Sequence, residues 1–136
     1  MKKLYLDIDG VLLTAKLKKA ADYLSQFIDF IISSFDCYWL TTHCKGDSKT
    51  ALNYIEPYLN SDTIKKLEII KPTTWTTLKT EAIDFESDFY WLEDYPLQAE
   101  ISFLLSKDLI DRLIIVNLEN QNELKEVEEK LKNNFN

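Results

Sequence analysis

The sequence predicts an α/β fold: a three-layer α/β/α sandwich around a mainly parallel, Rossmann-like sheet. Three observations lead there. Short apolar runs recur along the chain at Leu4-Tyr5-Leu6, Cys37-Tyr38-Trp39-Leu40, Phe89-Tyr90-Trp91-Leu92 and Leu113-Ile114-Ile115-Val116. They are apolar at successive positions rather than alternating, as strands covered on both faces require. Helical periodicity fills the segments between them, and strands alternating with helices imply right-handed crossovers around a parallel sheet.

Taken in order, Ala20, Leu24, Phe27, Ile28, Ile31 and Phe35 recur at helix spacing after the first strand. A second helix is expected from about Ser48 to Leu59, disturbed in its last turn by Pro57. Leu67-Glu68-Ile69-Ile70-Lys71 is a weaker candidate for a fifth strand, nearer an edge. Thr73 or Thr76 is placed to cap a helix running towards Phe85, and Pro96 fits the first turn of one continuing to about Ser106. Leu124, Val127 and Leu131 mark the last helix. No repeat, low-complexity tract or linker divides residues 1–136, so a single domain is expected, long enough to bury a core without staples.

The formal net charge of -7 argues against broad, salt-driven binding to nucleic acid or to anionic membranes. Much of it lies in the last helix, in Glu119, Glu123, Glu126, Glu128 and Glu129, a solvated face. No apolar run is long enough to cross a bilayer, and Asp7 comes too early for a signal peptide. Cys37 and Cys44 sit at no metal-ligand or redox spacing. A cytoplasmic protein is the economical reading.

The chemistry concentrates in Asp7-Ile8-Asp9-Gly10-Val11-Leu12, directly after the first strand. Carboxylates at the end of a central parallel strand point to the crevice where open α/β sheets bind ligands. One such aspartate is readily a turn cap; two repel and raise each other's pKa, a conflict that a hard cation removes.

This segment resembles the first motif of the haloacid-dehalogenase-like (HAD) phosphohydrolase superfamily, a DxDG-type sequence closing the first strand. The resemblance implies that Asp7 is the nucleophile that becomes an aspartyl-phosphate and that Asp9 is the general acid/base, roles open to carboxylates. Trp39-Leu40-Thr41-Thr42 resembles the second motif, so Thr41 is expected to hydrogen-bond a phosphoryl oxygen, with Thr42, Gly10 and His43 around the substrate. For His43, a local hydrogen bond is as good an explanation as a substrate contact. Tyr90-Trp91-Leu92-Glu93-Asp94 resembles the fourth motif, an acidic pair completing the metal site, with Glu93 where the superfamily often has aspartate. Which of Glu93 and Asp94 binds metal directly stays open. Two lysines compete for the third motif: Lys79, in Leu78-Lys79-Thr80-Glu81-Ala82-Ile83, is preferred to Lys71 of Lys71-Pro72. Trp39, Trp75 and Trp91 are read as core or pocket wall.

The resemblance implies Mg²⁺ held by Asp7, Asp9 through its backbone carbonyl, and the pair Glu93 and Asp94, with Lys79 and Thr41 stabilising the phosphoryl oxygens. It covers most of the chain to about Glu100. Neither the segment from Asp9 to Trp39 nor that from Thr42 to Lys79 has room for a cap. An open site of this kind implies a phosphorylated substrate that brings its own bulk, such as a phosphoprotein or a nucleic-acid end, although the acidic surface disfavours a large nucleic-acid footprint. Two rival readings remain: a non-hydrolytic HAD-fold protein that binds a ligand or partner, and a phospho-accepting receiver domain. The second rival fits less well, because the second strand offers Thr41 and no aspartate.

Overall fold

The computed structural model describes residues 1–134. Strands β1 (Lys3–Leu6), β2 (Asp36–Trp39), β3 (Phe89–Glu93) and β4 (Leu113–Ile115) form one sheet in the order β2-β1-β3-β4, with every pairing parallel. Helices α1 (Leu24–Ser34), α2 (Ser48–Ile55), α3 (Ser61–Leu67), α4 (Gln98–Ser106) and α5 (Glu123–Asn133) connect and follow them. The α/β class is as expected, and the sheet is parallel throughout.

Alternate residues of each strand enter different cores. Leu4, Leu6, Cys37, Trp39, Tyr90, Leu92 and Ile114 pack with Phe27, Ile28 and Ile31 of α1, Leu67 of α3 and Leu124, Val127 and Leu131 of α5. Tyr5, Phe89 and Trp91 face the other way, against Leu104 of α4 and Ile83. Neither face of a central strand is wet, which is why the strands read as unbroken apolar runs. Truncating one of these side chains, Leu6→Ala for instance, costs about 2–5 kcal/mol. No helix among the described residues is long and apolar enough to cross a membrane.

The elements depart from expectation in three places, each for a local reason, while the disturbance at Pro57 is as expected. Helix α1 begins at Leu24, not near Ala20, because Tyr23 is left-handed (φ 71°) and Ala20 pairs with Leu13 in a short bridge. At Pro57, α2 gives way to a 3₁₀ turn over Glu56–Tyr58. The suggested fifth strand shrinks to one residue: Leu67 still belongs to α3, and only Lys71 pairs with the sheet, in a parallel bridge to Tyr38 at the β2 edge. Pro72 follows and removes the next donor. No long helix spans Thr73 to Phe85; the segment is a loop with a single 3₁₀ turn at Lys79–Ala82. There the Glu81 carboxylate accepts from the backbone N–H groups of Thr76 (3.0 Å), Thr77 (3.2 Å) and Leu78 (2.8 Å). Side-chain capture of these amides, with four β-branched threonines upstream, favours the extended path.

Candidate active site

β1 and β3 lie side by side and end together, so their next residues meet at the carboxyl edge of the sheet. Leu6 pairs with Leu92, and the Asp7 N–H donates to the Leu92 carbonyl at 3.3 Å. Asp7, Glu93 and Asp94 each offer a carboxylate oxygen, and the three oxygens lie within 4.8 Å of one another. Lys79 reaches the cluster from the 3₁₀ turn, its Nζ 3.2 Å from Asp7 Oδ2 and 2.6 Å from Glu93 Oε1. Asp7 and Glu93 are buried, at 8% and 3% exposure.

Negative charge is in excess here. Three carboxylates face one ammonium. Burial, then the neighbouring charge of Asp7, push Glu93 up to about 8 in spite of Lys79. Burial works to lower the pKa of Lys79, but Asp7 and Glu93 outweigh it and the pKa is raised. The second oxygen of Glu93 accepts from the N–H groups of Asp94 (3.1 Å) and Tyr95 (3.3 Å). Both oxygens of Glu93 are therefore engaged. The Asp94 carboxylate, by contrast, has no hydrogen-bond or ion-pair partner among the described residues. Its approach to the β1 loop requires a glycine. Gly10 has φ +80°, and a Cβ added there would lie 2.0 Å from Asp94 Oδ2 and 2.6 Å from Asp94 Cβ. Gly10 thus packs on Asp94 and borders the next hollow rather than the acid cleft itself.

Asp9 stands apart from this cluster. Its carboxylate accepts from Lys18 Nζ (2.8 Å) and Tyr54 Oη (2.8 Å to the nearer oxygen) and lies 3.0 Å from His43 Nε2. Burial works to raise the Asp9 pKa, but Lys18, Tyr54 and His43 outweigh it and the group is held below the usual carboxylate range. His43 also stacks on Tyr54, with ring centroids 3.4 Å apart, so its first role is this local contact. Thr41 is fully buried, its hydroxyl accepting from the His43 N–H at 3.3 Å; Thr42 is the threonine that lines the cleft.

The two candidate lysines end in different places. Lys71 pairs with Asp36 at 2.9 Å, at the opposite end of β2, so the lysine at the carboxylates is Lys79. Glu100 holds Lys79 in place. It is 2% exposed and accepts from the Lys79 N–H (2.7 Å) and, at the start of α4, from the Leu97 N–H (2.8 Å). Glu100 supplies only half of a capping-box signal, because Leu97 at the N-cap has no side-chain acceptor, so the sequence marked it weakly. Lys18 and Tyr54 carried no such signal. Trp75 lines the cleft wall, while Trp39 and Trp91 are core residues whose indole N–H groups are buried without a partner among the described residues.

The resulting cleft holds about 330 Å³ between Asp7, Asp9, Thr42, Trp75, Lys79 and the acidic pair. It combines a buried carboxylate, a buried ammonium and an unpartnered carboxylate at the point where the strand order reverses about β1. Comparison with family models, curated proteins and solved structures returns no match, so the site stands on its own geometry.

Proposed function

We propose that this chain is a Mg²⁺-dependent phosphohydrolase, a phosphatase of the HAD type, working through an aspartyl-phosphate on Asp7. The observation that carries the reading is the junction of Asp7, Glu93 and Asp94 with Lys79 at one sheet edge. The donor set fits a divalent cation: oxygen-only ligands suit a hard ion, and the carboxylates exceed the local positive charge. Asp7 and Asp94 would hold it directly, because Glu93 is already engaged by Lys79 and two backbone amides. When bound, such an ion supplies charge neutralisation at the phosphoryl oxygens and fixes their orientation.

The chain's own groups divide the remaining work. An Asp7 carboxylate oxygen attacks phosphorus as the bond to the leaving oxygen breaks. Lys79, held by Asp7 and Glu93, stands ready to stabilise an equatorial oxygen, and Thr42 borders the same space. Asp9 then takes a proton from the water that attacks the acyl phosphate, regenerating Asp7 and releasing phosphate. An ionised Asp9 suits that base role; as acid to the leaving group it must first leave the Lys18–Tyr54–His43 clamp and take up a proton. A cytoplasmic setting accords with the two unpaired cysteines, Cys37 and Cys44.

The test is hydrolysis of an aryl phosphate with and without Mg²⁺ by wild type and Asp7→Asn. Magnesium-dependent turnover lost in Asp7→Asn is expected. A second reading, a non-hydrolytic ligand-binding protein on the same scaffold, draws on the three contacts that tie Asp9 down. Mg²⁺ binding with no turnover of any phosphate ester would replace the first reading with the second.

A further inference from the structure

A second concavity adjoins the acid cleft, and nothing above uses it. It holds about 610 Å³ between the loop that follows β1 and the chain leaving β4, within the size range of small-ligand pockets. Its floor and walls are largely apolar, with Leu17, Ile115, Val116 and Leu118 among the lining residues. Leu17 is 71% exposed and Ile115 48% exposed, so two large apolar side chains are left wet around one hollow. Lys16 and Lys19 line it too, with Asp94 and Glu119 as the opposing charges.

Position decides what such a hollow is for. Asp94 lines both concavities, and Gly10, packed on Asp94, lines the hollow. A phosphoryl group beside Asp7 and Asp94 therefore has its ester substituent within reach of this second space. Among the described residues no inserted domain encloses a substrate's body, and this hollow is an apolar concave surface that shares Asp94 with the cleft.

We propose that this hollow seats the apolar body of a phosphate monoester, an aryl or bulky alkyl group, while the phosphate occupies the acid cleft. The inference rests on the phosphohydrolase reading and names its substrate class. The recognition is hydrophobic: each methylene-sized unit taken out of water improves binding roughly fourfold. Leu17 and Ile115 are the specificity determinants, and Lys16 and Lys19 offer contacts to a second anionic substituent.

The test compares kcat/KM for phenyl phosphate and 2-naphthyl phosphate, whose leaving groups have similar acidity, so the ratio reads the added apolar surface. Wild type is expected to favour the naphthyl ester by about tenfold, and Leu17→Asp to bring the ratio close to one. In parallel, amide chemical shifts are mapped with 2-naphthylphosphonate and methylphosphonate, neither of which is hydrolysed. The naphthyl ligand is expected to shift Thr14, Val116, Asn117 and Leu118, and the methyl ligand only residues of the acid cleft. Equal turnover of the two esters, naphthyl shifts confined to the acid cleft, or a preference for phosphoserine peptides over both esters overturns the inference and leaves the phosphatase reading standing. Absent turnover with the naphthyl shifts intact does the reverse: the phosphatase reading falls and the hollow remains a seat for an apolar phosphorylated ligand. No shift with either ligand overturns both.

Discussion

Gly10→Ala separates the cost of backbone strain from the cost of losing the proposed metal site, because the chain contains its own control. Gly10 and Gly46 have nearly the same backbone conformation, φ +80° and +79°. An alanine at either position carries the left-handed penalty, about 1–2 kcal/mol. The surroundings differ. At Gly46 a Cβ meets nothing within 4 Å, whereas at Gly10 it lands 2.0–2.6 Å from three atoms of the Asp94 side chain. Asp94 must leave its place, and with it goes the carboxylate oxygen closest to being free for a cation. In urea unfolding without metal, both variants lose about 1–2 kcal/mol from strain, Gly10→Ala somewhat more from the displaced side chain. With Mg²⁺ at a hundred times its dissociation constant, wild type and Gly46→Ala gain about 2.7 kcal/mol by linkage, and Gly10→Ala gains little. Asp94→Ala should reproduce the lost Mg²⁺ gain without the strain. If Gly10→Ala keeps the full Mg²⁺ stabilisation, Asp94 is not a ligand in this geometry and the reasoning is wrong.

Three further outcomes are expected. Lys79→Met removes the ammonium that pairs with Asp7 and Glu93, so stability falls by about 3–5 kcal/mol at pH 9, where both carboxylates are ionised; urea unfolding at pH 6, where Glu93 keeps a proton, should show a smaller loss, and equal loss at both pH values would count against the charge argument. Without metal, wild-type stability should decline between the ordinary glutamate value of 4.5 and about 8, since folded Glu93 keeps a proton that the unfolded chain has released. The decline is at most about 1.4 kcal/mol per pH unit, and Mg²⁺ should flatten it; a stability that rises with pH through this window contradicts the raised Glu93. Lys18→Met should let the Asp9 pKa rise towards its ordinary value in a carboxyl NMR titration, while costing under about 1 kcal/mol, because the pair is partly exposed. An unmoved Asp9 would assign its low pKa to Tyr54 and His43 alone.

The sequence was most legible where the physics is local. Strand composition located all four strands to within a residue or two, because β1 and β3 lie inside the sheet and their covered faces demand apolar side chains, and the edge strands β2 and β4 keep a similar run although Ile115 is partly exposed. It also placed Asp7, Glu93 and Asp94 at strand ends, and a parallel sheet carries such ends to one edge. Segments whose fate depends on side-chain capture of backbone amides were less legible. The threonine-rich stretch before Lys79 has residues fit to cap a helix, yet Glu81 takes its amides and leaves a single turn.

What the sequence by itself determined, then, is the α/β class, the strand set and the carboxylates that converge. Tertiary structure alone decided between Lys79 and Lys71, since a lysine's partner depends on the path of the loop that delivers it. It also decided that Asp9 is held by Lys18, His43 and Tyr54, which are 9, 34 and 45 residues away. Periodicity reports which side of an element is buried. It carries no information on which distant side chain will stand opposite a given carboxylate once the layers close, and it is those contacts that set the charge of the site.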